Sequence, residues 1–402
     1  MRIVDIRNRE EAVEILKRID VDPYGIGAMA PKAVNINILL KEQPCKIANI
    51  LKQEMLSLGG DAAVARGSVA CSVKTTDVLI MGTIKQIITL AGKISKQPFG
   101  LSLIAHDILE TIKNTGLERF VWKTSRRKII LGEQTRIMGI LNVTPDSFSD
   151  GGIFFTTEKA VERGVQMAEE GADMIDIGGE STRPGSDSVP VHVELKRVIP
   201  VIKTLVKKVK IPLSIDTKKA RVAQEAVDAG AEIINDISAL NADKKMAWTA
   251  AQTKAALVLM HMRGNPANMQ KGHLGYDDLM GEITDYLRVS MQKAMKAGVE
   301  KDSVAVDPGI GFGKTFSDNH RIIRNLAELK TLGMPILIGT SRKSFIGQIT
   351  GDAPSERIEG TAASVVAAIL KGCHVIRVHD VAVMKKVAAV TDAILHARQV
   401  TE

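Results

Sequence analysis

At 402 residues the chain exceeds the size of one ordinary domain, so we expect two domains. Hydrophobic residues make up 45% of it and aromatics only 3%, which indicates an aliphatic core suited to a buried parallel sheet covered by helices. The net charge of +8 comes without the aromatics of a nucleic-acid-binding surface. We therefore expect an anionic small-molecule substrate and no nucleic acid.

The three cysteines, Cys45, Cys71 and Cys373, have neither CxxC spacing nor paired histidines, which argues against a disulfide framework and a structural zinc site. The first residues are charged and contain no apolar signal core. No apolar run is long enough for a transmembrane helix. These features predict a cytoplasmic protein without a membrane partner.

The N-terminal region predicts a small α/β domain over 1–125. The pair Gly59–Gly60 before Asp61 indicates a helix end and a turn rather than a phosphate loop. A charged, turn-rich stretch at 120–135 separates this domain from a second one over 126–402. The expected elements are helices at 9–19, 44–58, 83–95 and 101–113 and strands at 35–40 and 77–82.

In the second domain, apolar strand-like runs alternate with segments of helical period. Eight consecutive units predict an α/β fold, a (β/α)8 TIM barrel, rather than a doubly wound open sheet. The predicted strands are 136–142, 173–178, 212–216, 232–236, 256–261, 303–307, 335–339 and 374–379. Predicted helices include 157–171, 190–208, 218–229, 277–297, 318–332, 357–371 and 381–397.

Polar residues stand at or just past the C-terminal end of every predicted strand. In barrel enzymes that rim carries the chemistry, so these side chains should meet at one mouth and form an active site. They are Asn142, Asp176, Asp216, Asn235, Asp236, His261, Asp307, Ser341, Lys343, Arg377 and His379.

Motifs follow these strands in a distinctive order: MGILNVTPDSFSDGG (138–152), DIGGESTRPGSDSV (176–189), SIDT (214–217), INDIS (234–238), LMHMRGNPANMQ (259–270), DPGIGFGKT (307–315), GTSRKSFIG (339–347) and RVHDV (377–381). In this order the chain resembles the dihydropteroate synthases over roughly 130–402. The resemblance implies a transferase, a homodimer, that condenses 6-hydroxymethyl-7,8-dihydropterin pyrophosphate with p-aminobenzoate. Shorter members of that family lack the first 130 residues, for which we expect an assembly or regulatory role, with a second enzyme of folate synthesis as the open alternative.

The pterin edge presents N–H donors, and a buried carboxylate can accept two of them at once. Asp307 is the candidate, unless it only caps the turn at Pro308–Gly309. Asp216 is expected to help, although it could instead cap a helix that begins at Thr217. The remaining pterin-binding candidates are Asn235, Lys343 and Met260.

The leaving pyrophosphate needs cations. Arg377 and His379 alternate on the last strand and so point to the same side, with an ion pair between Arg377 and Asp380 as the competing interpretation. Mg2+ suits pyrophosphate because it prefers oxygen ligands and keeps several waters. The resemblance implies Asn142 as the protein ligand of this metal.

For p-aminobenzoate we expect an apolar slot and a donor for the carboxylate. Ser344 opens a predicted helix or turn whose backbone N–H groups favour an anion. The loops 143–152 and 179–190 have the composition of mobile lids. Lining residues are Phe148, Phe312 and Pro184, and the resemblance adds Thr182 and Arg183 of the second loop.

No Ser-His-Asp or Cys-His nucleophile is arranged in the sequence, so the amine itself is expected to attack in an SN1-like displacement. Lys343, Arg377, His379, Thr182 and Arg183 are the residues expected to act on the substrates. Two alternatives stay open. One is a methyltransferase that passes the methyl group of methyltetrahydrofolate to a corrinoid protein, and the other is a non-catalytic pterin-binding scaffold.

Overall fold

The computed structural model describes residues 1–144, 157–181, 186, 188–264, 269 and 274–397. It divides into two compact units, Met1–Gly116 and Leu117–Glu402. A hairpin at 120–131 lies within the second unit, so the division precedes the boundary at 125/126 that the sequence suggested. Among the helices of the described ranges, none is long and apolar enough to cross a membrane.

The first unit packs helices on a three-stranded antiparallel sheet of order β1–β3–β2. All six predicted elements are present, and Gly59, at a φ of +75°, forms the predicted turn. One helix was not predicted, since Pro31 and two glycines interrupt its apolar pattern. The strands are β1 (Asn35–Pro44), β2 (Asp61–Ala63) and β3 (Thr75–Thr83); the helices are α1 (Arg9–Arg18), α2 (Pro23–Ala33), α3 (Cys45–Ser57), α4 (Ile84–Ile94) and α5 (Leu101–Thr115).

The second unit begins with an antiparallel hairpin of β4 (Phe120–Lys123) and β5 (Lys128–Leu131). Trp122 is fully buried and its Nε1–H donates to the Ser303 carbonyl oxygen at 3.1 Å. It packs with inward-facing residues near the starts of the barrel strands, among them Met138 and Val375. The charged stretch that was expected to separate two domains therefore covers the N-terminal end of the barrel.

Eight parallel strands follow in the order β11–β10–β9–β8–β7–β6–β13–β12, and a bridge between Val306 and Ile336 closes the ring. The predicted TIM barrel is confirmed, each strand lying within two residues of its predicted bounds. The strands are β6 (Arg136–Asn142), β7 (Met174–Gly178), β8 (Leu213–Asp216), β9 (Ile233–Asp236), β10 (Ala256–Met260), β11 (Val304–Asp307), β12 (Leu337–Ile338) and β13 (Val375–Val378).

The helices cover the outside of the barrel, and the predicted helix at 318–332 is an α-helix followed by a 3-10 helix over Leu326–Leu332. They are α6 (Thr157–Glu169), α7 (Val191–Lys208), α8 (Ala220–Ala229), α9 (Met246–Thr253), α10 (Leu279–Lys296), α11 (Phe316–Arg324), α12 (Ser344–Thr350), α13 (Ile358–Leu370) and α14 (Val381–Leu395).

The two-residue alternation of the strands positions the site. Met174 lies among the residues that fill the barrel interior, and Asp176, two residues later, faces the same side at the mouth. The same relation joins Val375 in the interior to Arg377 at the mouth. The pattern that packs the barrel thus also directs the polar strand ends inward.

Candidate active site

Arg377 lies at the centre of the barrel mouth. Its Nε donates to Asp176 Oδ2 at 2.6 Å and its Nη2 to Asp216 Oδ2 at 2.8 Å. Asn235 Nδ2 donates to the same Asp176 oxygen at 2.9 Å. Burial opposes the charge of Arg377, but the two carboxylates outweigh it and raise its pKa. Four strand ends are thereby joined in one hydrogen-bonded network.

These contacts answer two questions that the sequence left open: whether Arg377 pairs with Asp380, and whether Asp216 caps a helix. Asp380 does not pair with Arg377; it accepts a hydrogen bond from Arg342 Nε at 3.0 Å. Asp216 does not cap a helix either, because α8 begins later, at Ala220. The Asp216 carboxylate is buried, and burial raises its pKa while Arg377 lowers it.

Asp307 ends β11 and is 5% exposed. Its Oδ1 accepts the backbone N–H of Gly309 at 2.6 Å, so Asp307 does cap the turn at Pro308–Gly309. This contact does not exclude a second role in ligand binding. Burial raises the pKa of Asp307 to about 6, against the pull of that N–H group and of Lys343. The carboxylate remains ionised at neutral pH and keeps acceptor capacity for a ligand.

Lys343 stands beside Asp307 on the loop after β12. Its Nζ lies 4.3 Å from the centroid of the Phe312 ring, a cation–π distance. Burial, followed by the charge of Arg377, lowers the pKa of Lys343 to about 8, while Asp307 and Asp216 act in the opposite direction. Lys343 is therefore a half-buried donor among charged groups, not a solvated surface lysine.

An apolar patch adjoins these charges. Met260 and Phe312 belong to one buried cluster with Ile237, Met262 and Met269. A planar heteroaromatic ring could lie against this patch while its edge meets the neighbouring carboxylates. The structure thus brings Met260 and Phe312 together, as well as Asp216, Asn235, Asp307 and Lys343.

Asn142 and His379 line a cavity of about 660 Å3 beside the network, together with Arg342. Ser341 Oγ lies 2.9 Å from His379 Nδ1 and also accepts the backbone N–H of His379 at 3.2 Å. Burial and then Arg377 lower the pKa of His379 to about 3, so its ring is neutral at physiological pH. In the tautomer with the proton on Nε2, the Ser341 hydroxyl donates to Nδ1 and the Nε2–H is left for a ligand.

Four predicted residues, Phe148, Thr182, Arg183 and Pro184, lie outside the described residues. Ser344 begins α12, as predicted, and is exposed. Parts of both ends of the second predicted loop are described. Lys219 Nζ contacts Glu180 near its start, the Val189 carbonyl oxygen near its end, and Glu194 beyond it.

Of three further residues of the mouth, sequence reasoning missed Lys314 and placed Asp176 and His261 on the rim without a role. Asp176 was expected on the rim without a role of its own, although it is fully buried against Arg377. Lys314 and His261 form a buried pair with 2.9 Å between Nζ and Nδ1. A lone lysine in a glycine-rich loop carries no sequence signal that separates burial from solvation.

The sequence profile of the pterin binding enzymes matches residues 138–379. The chain belongs to the dihydropteroate synthase family of pterin-binding enzymes. A dihydropteroate synthase from Synechocystis is 47% identical over 264 residues, 65% of this chain and 91% of that protein. The structure of the Xanthomonas albilineans dihydropteroate synthase with 4-aminobenzoic acid is 43% identical, with a TM-score of 0.65, and covers 70% of this chain and 99% of that one.

A further relative includes the N-terminal unit. A probable bifunctional folylpolyglutamate synthase/dihydropteroate synthase from Halobacterium salinarum is 39% identical over 380 residues. The match covers 94% of this chain and 45% of that protein. The dihydropteroate synthase from Synechocystis corresponds to the barrel alone in length, so the first unit is a feature that this chain shares with only some of its family.

Proposed function

We propose that this chain is a dihydropteroate synthase, which joins 6-hydroxymethyl-7,8-dihydropterin pyrophosphate to p-aminobenzoate and releases pyrophosphate. The observation that carries the proposal is the meeting of Asp216, Asn235, Asp307, Lys343 and Arg377 in one barrel mouth. Family membership gives the same activity.

In this proposal the pterin ring lies against the apolar patch that holds Met260 and Phe312. Asp307 accepts two pterin N–H groups with its ionised carboxylate, in the manner of a charge-assisted pair. Asn235 and Asp216 complete the polar edge, and Lys343 donates to the carbonyl side. The arrangement is supported by the burial of both carboxylates, which leaves them little water to compete with a ligand.

Arg377 and His379 hold the pyrophosphate. The hydrogen bonds of Arg377 to Asp176 and Asp216 use two of its five N–H donors, and the neutral His379 offers Nε2–H. Both groups stabilise the negative charge that grows as the pyrophosphate departs. Electrostatic stabilisation of this kind supplies a large part of the rate acceleration in many enzymes.

Mg2+ is the proposed cofactor, and Asn142 fits it. A Cβ placed on Gly178 would lie 3.6 Å from Asn142 Oδ1 and 3.7 Å from Asp216 Oδ2, so the absence of a side chain there leaves the amide oxygen open toward the mouth. Mg2+ needs few protein ligands when phosphate oxygens and waters supply the rest. When bound, it would neutralise charge on the leaving group.

The displacement is proposed to be SN1-like: the C–O bond to pyrophosphate breaks, and the carboxylates around the ring stabilise the cation that develops. The arylamine of p-aminobenzoate then forms the C–N bond and loses its proton afterwards, so no general base is required. We propose that Ser344, Thr182, Arg183, Pro184, Phe148 and Phe312 hold p-aminobenzoate.

The deciding experiment is formation of dihydropteroate from the two substrates with Mg2+, with and without a sulfonamide that competes for the aminobenzoate site. We expect sulfonamide-sensitive product that is lost on Arg377→Ala or Lys343→Ala. Pterin binding without product would refute the synthase and favour the methyltransferase or the non-catalytic scaffold.

We also propose that the protein works in the cytoplasm as a homodimer. All three cysteines are free, as is usual in a reducing compartment. Light scattering coupled to size-exclusion chromatography tests the dimer, and a monomer mass across the micromolar range would refute it.

A further inference from the structure

One buried cation in the mouth has no role in the proposed chemistry. Lys314 lies seven residues past Asp307 and is 2% exposed. Its Nζ is 2.9 Å from His261 Nδ1, 3.0 Å from the Phe312 carbonyl oxygen and 3.3 Å from the His261 carbonyl oxygen. Within the described ranges no carboxylate lies at ion-pair distance from it. A buried ammonium that bonds only neutral acceptors is costly, so something must favour its retention.

The partner ring shows the direction of these bonds. In its charged form Lys314 has only donors, so His261 Nδ1 then accepts and the ring proton sits on Nε2. Burial, followed by the charge of Lys314, keeps His261 neutral and lowers its pKa to about 2. The His261 ring is itself fixed edge-on against Tyr286, with 4.7 Å between centroids. Lys314 therefore forms a hydrogen bond to a ring that is held in place at the C-terminal end of β10.

The bonds join two neighbouring loops whose backbones approach closely. A Cβ on Gly309 would lie 2.0 Å from the His261 carbonyl oxygen, and one on Gly313 would lie 2.4 Å from that of Arg263. The loop between β11 and α11 meets β10's end with two side chains: Phe312 packs with Met260, and Lys314 bonds His261. That loop carries Phe312, on whose ring Lys343 rests.

Lys314 also acts on charge. It is one of the cations that lower the pKa of Asp307, and Asp307 in turn stabilises the charged form of Lys314. Burial lowers the pKa of Lys314 to about 7. A positive charge here keeps Asp307 ionised at lower pH than burial alone would allow.

We infer that Lys314 is a positioning residue of the pterin site: it holds the Phe312 loop against His261 at the end of β10. This inference rests on the proposed function and deepens it. It assigns Lys314 to the pterin half of the reaction through His261, whose backbone N–H donates to the Asp307 carbonyl oxygen at 2.9 Å. Phe312, on the same loop, also belongs to the proposed p-aminobenzoate site.

The test compares Lys314→Met with Lys314→Arg in the full-length protein. For Lys314→Met we expect the dissociation constant of 6-hydroxymethylpterin to rise about tenfold, the equivalent of one charged hydrogen bond. The pH below which pterin binding fails should rise by about half a unit, because Asp307 loses a neighbouring positive charge. The KM for p-aminobenzoate should show no matching shift of its pH limit, because Asp307 is assigned to the pterin alone. Lys314→Arg, which keeps the charge, should keep the wild-type pH limit.

Lys330→Met is the matched control, since Lys330 is a partly buried lysine before β12, at the opposite end of the barrel. It should leave pterin affinity at the wild-type value. If Lys314→Met does not fold, Lys314→Gln retains amide donors and replaces it. A folded variant with wild-type pterin affinity and an unmoved pH limit would overturn the inference. Wild-type protein that neither binds pterin nor forms dihydropteroate would instead refute the proposed function.

Discussion

Replacing Arg377 with Met should make the stability of the barrel unit depend on pH. In the wild type the guanidinium lies between two buried carboxylates, 2.6 Å from Asp176 and 2.8 Å from Asp216. Removing one partner of a buried pair typically costs about 3–5 kcal/mol, because the remaining charge stays uncompensated. Here two like charges remain, so the cost at pH 8 should lie at the upper end of this range.

The two carboxyl groups can escape that cost by sharing a proton. Burial and the neighbouring Asp176 already raise the pKa of Asp216, and Arg377 is the group that most lowers it. Without Arg377 the folded-state pKa rises further above the unfolded value, so the folded variant binds more protons than the unfolded chain. Its stability relative to wild type should therefore recover as pH falls, by about 1.4 kcal/mol per pH unit for one proton.

Urea unfolding followed by tryptophan fluorescence measures this difference. Both tryptophans, Trp122 and Trp248, belong to the second unit, and Trp122 is fully buried, so the signal reports the barrel and not the first unit. The matched control is Arg321→Met. Arg321 is exposed and pairs with Asp318 at 3.3 Å, so its loss should cost at most about 1 kcal/mol at any pH.

A second variant separates charge from packing. Arg377→Met combined with Asp176→Asn removes the like charge beside Asp216 while keeping the side-chain volume. The pH dependence should then shrink by about half, a coupling that a double-mutant cycle measures directly. An Arg377→Met variant that loses less than about 1 kcal/mol at pH 8 and shows no pH dependence would refute this reasoning, since buried carboxylates would then not need the guanidinium.

The kcat/KM for the pterin substrate should decrease at pH values under about 6, because the Asp307 carboxylate, whose pKa is raised, becomes protonated. It should also decrease at pH values over about 8, because Lys343, whose pKa is lowered, loses its proton. A profile that stays flat across pH 5–9 contradicts this, and Lys343→Arg should remove the alkaline limb. Burial lowers the pKa of His374 to about 4, so between pH 6.5 and pH 4 the unfolded chain binds a proton that the folded chain does not. The free energy of unfolding should therefore fall by about 3 kcal/mol as pH falls from about 6.5 to 4. His374→Leu should abolish this part of an acid-unfolding curve. Gly132→Ala should lower the melting temperature of the barrel, because its Cβ would lie 1.8 Å from a backbone carbonyl oxygen at a φ of +99°, whereas Gly92→Ala, in open space within α4, should stabilise by about 0.5–1 kcal/mol.

The barrel could be predicted from the sequence because each buried strand is a short apolar run that ends in a polar residue. Even β12, only two residues long, could be found, since the run at 335–339 sits between two helical segments. The stretch at 120–135 was misinterpreted as a separator for a physical reason. Its charges face solvent, while Trp122 makes its contact with Ser303, 181 residues away, which no local pattern reveals.

The sequence allowed us to predict which side chains face the mouth. It did not allow us to predict which of them form hydrogen bonds with one another. Alternation along β13 places Arg377 inside the barrel, yet its partners Asp176 and Asp216 are 201 and 161 residues away. Asp380, three residues on, was the obvious local partner and is engaged by Arg342 instead. Lys314 was missed because a buried lysine and a solvated one have the same sequence context.

The cations of the mouth do not attract an anionic substrate by net positive charge, because buried carboxylates lie among them. The described mouth holds three buried carboxylates, Asp176, Asp216 and Asp307, against Arg377, Lys343 and Lys314. With equal numbers of each sign, a pyrophosphate cannot be drawn in by net charge alone. In the proposed function it binds the guanidinium donors that Asp176 and Asp216 leave open. The placement of Arg377, and not the overall charge of +8, is then expected to set the affinity.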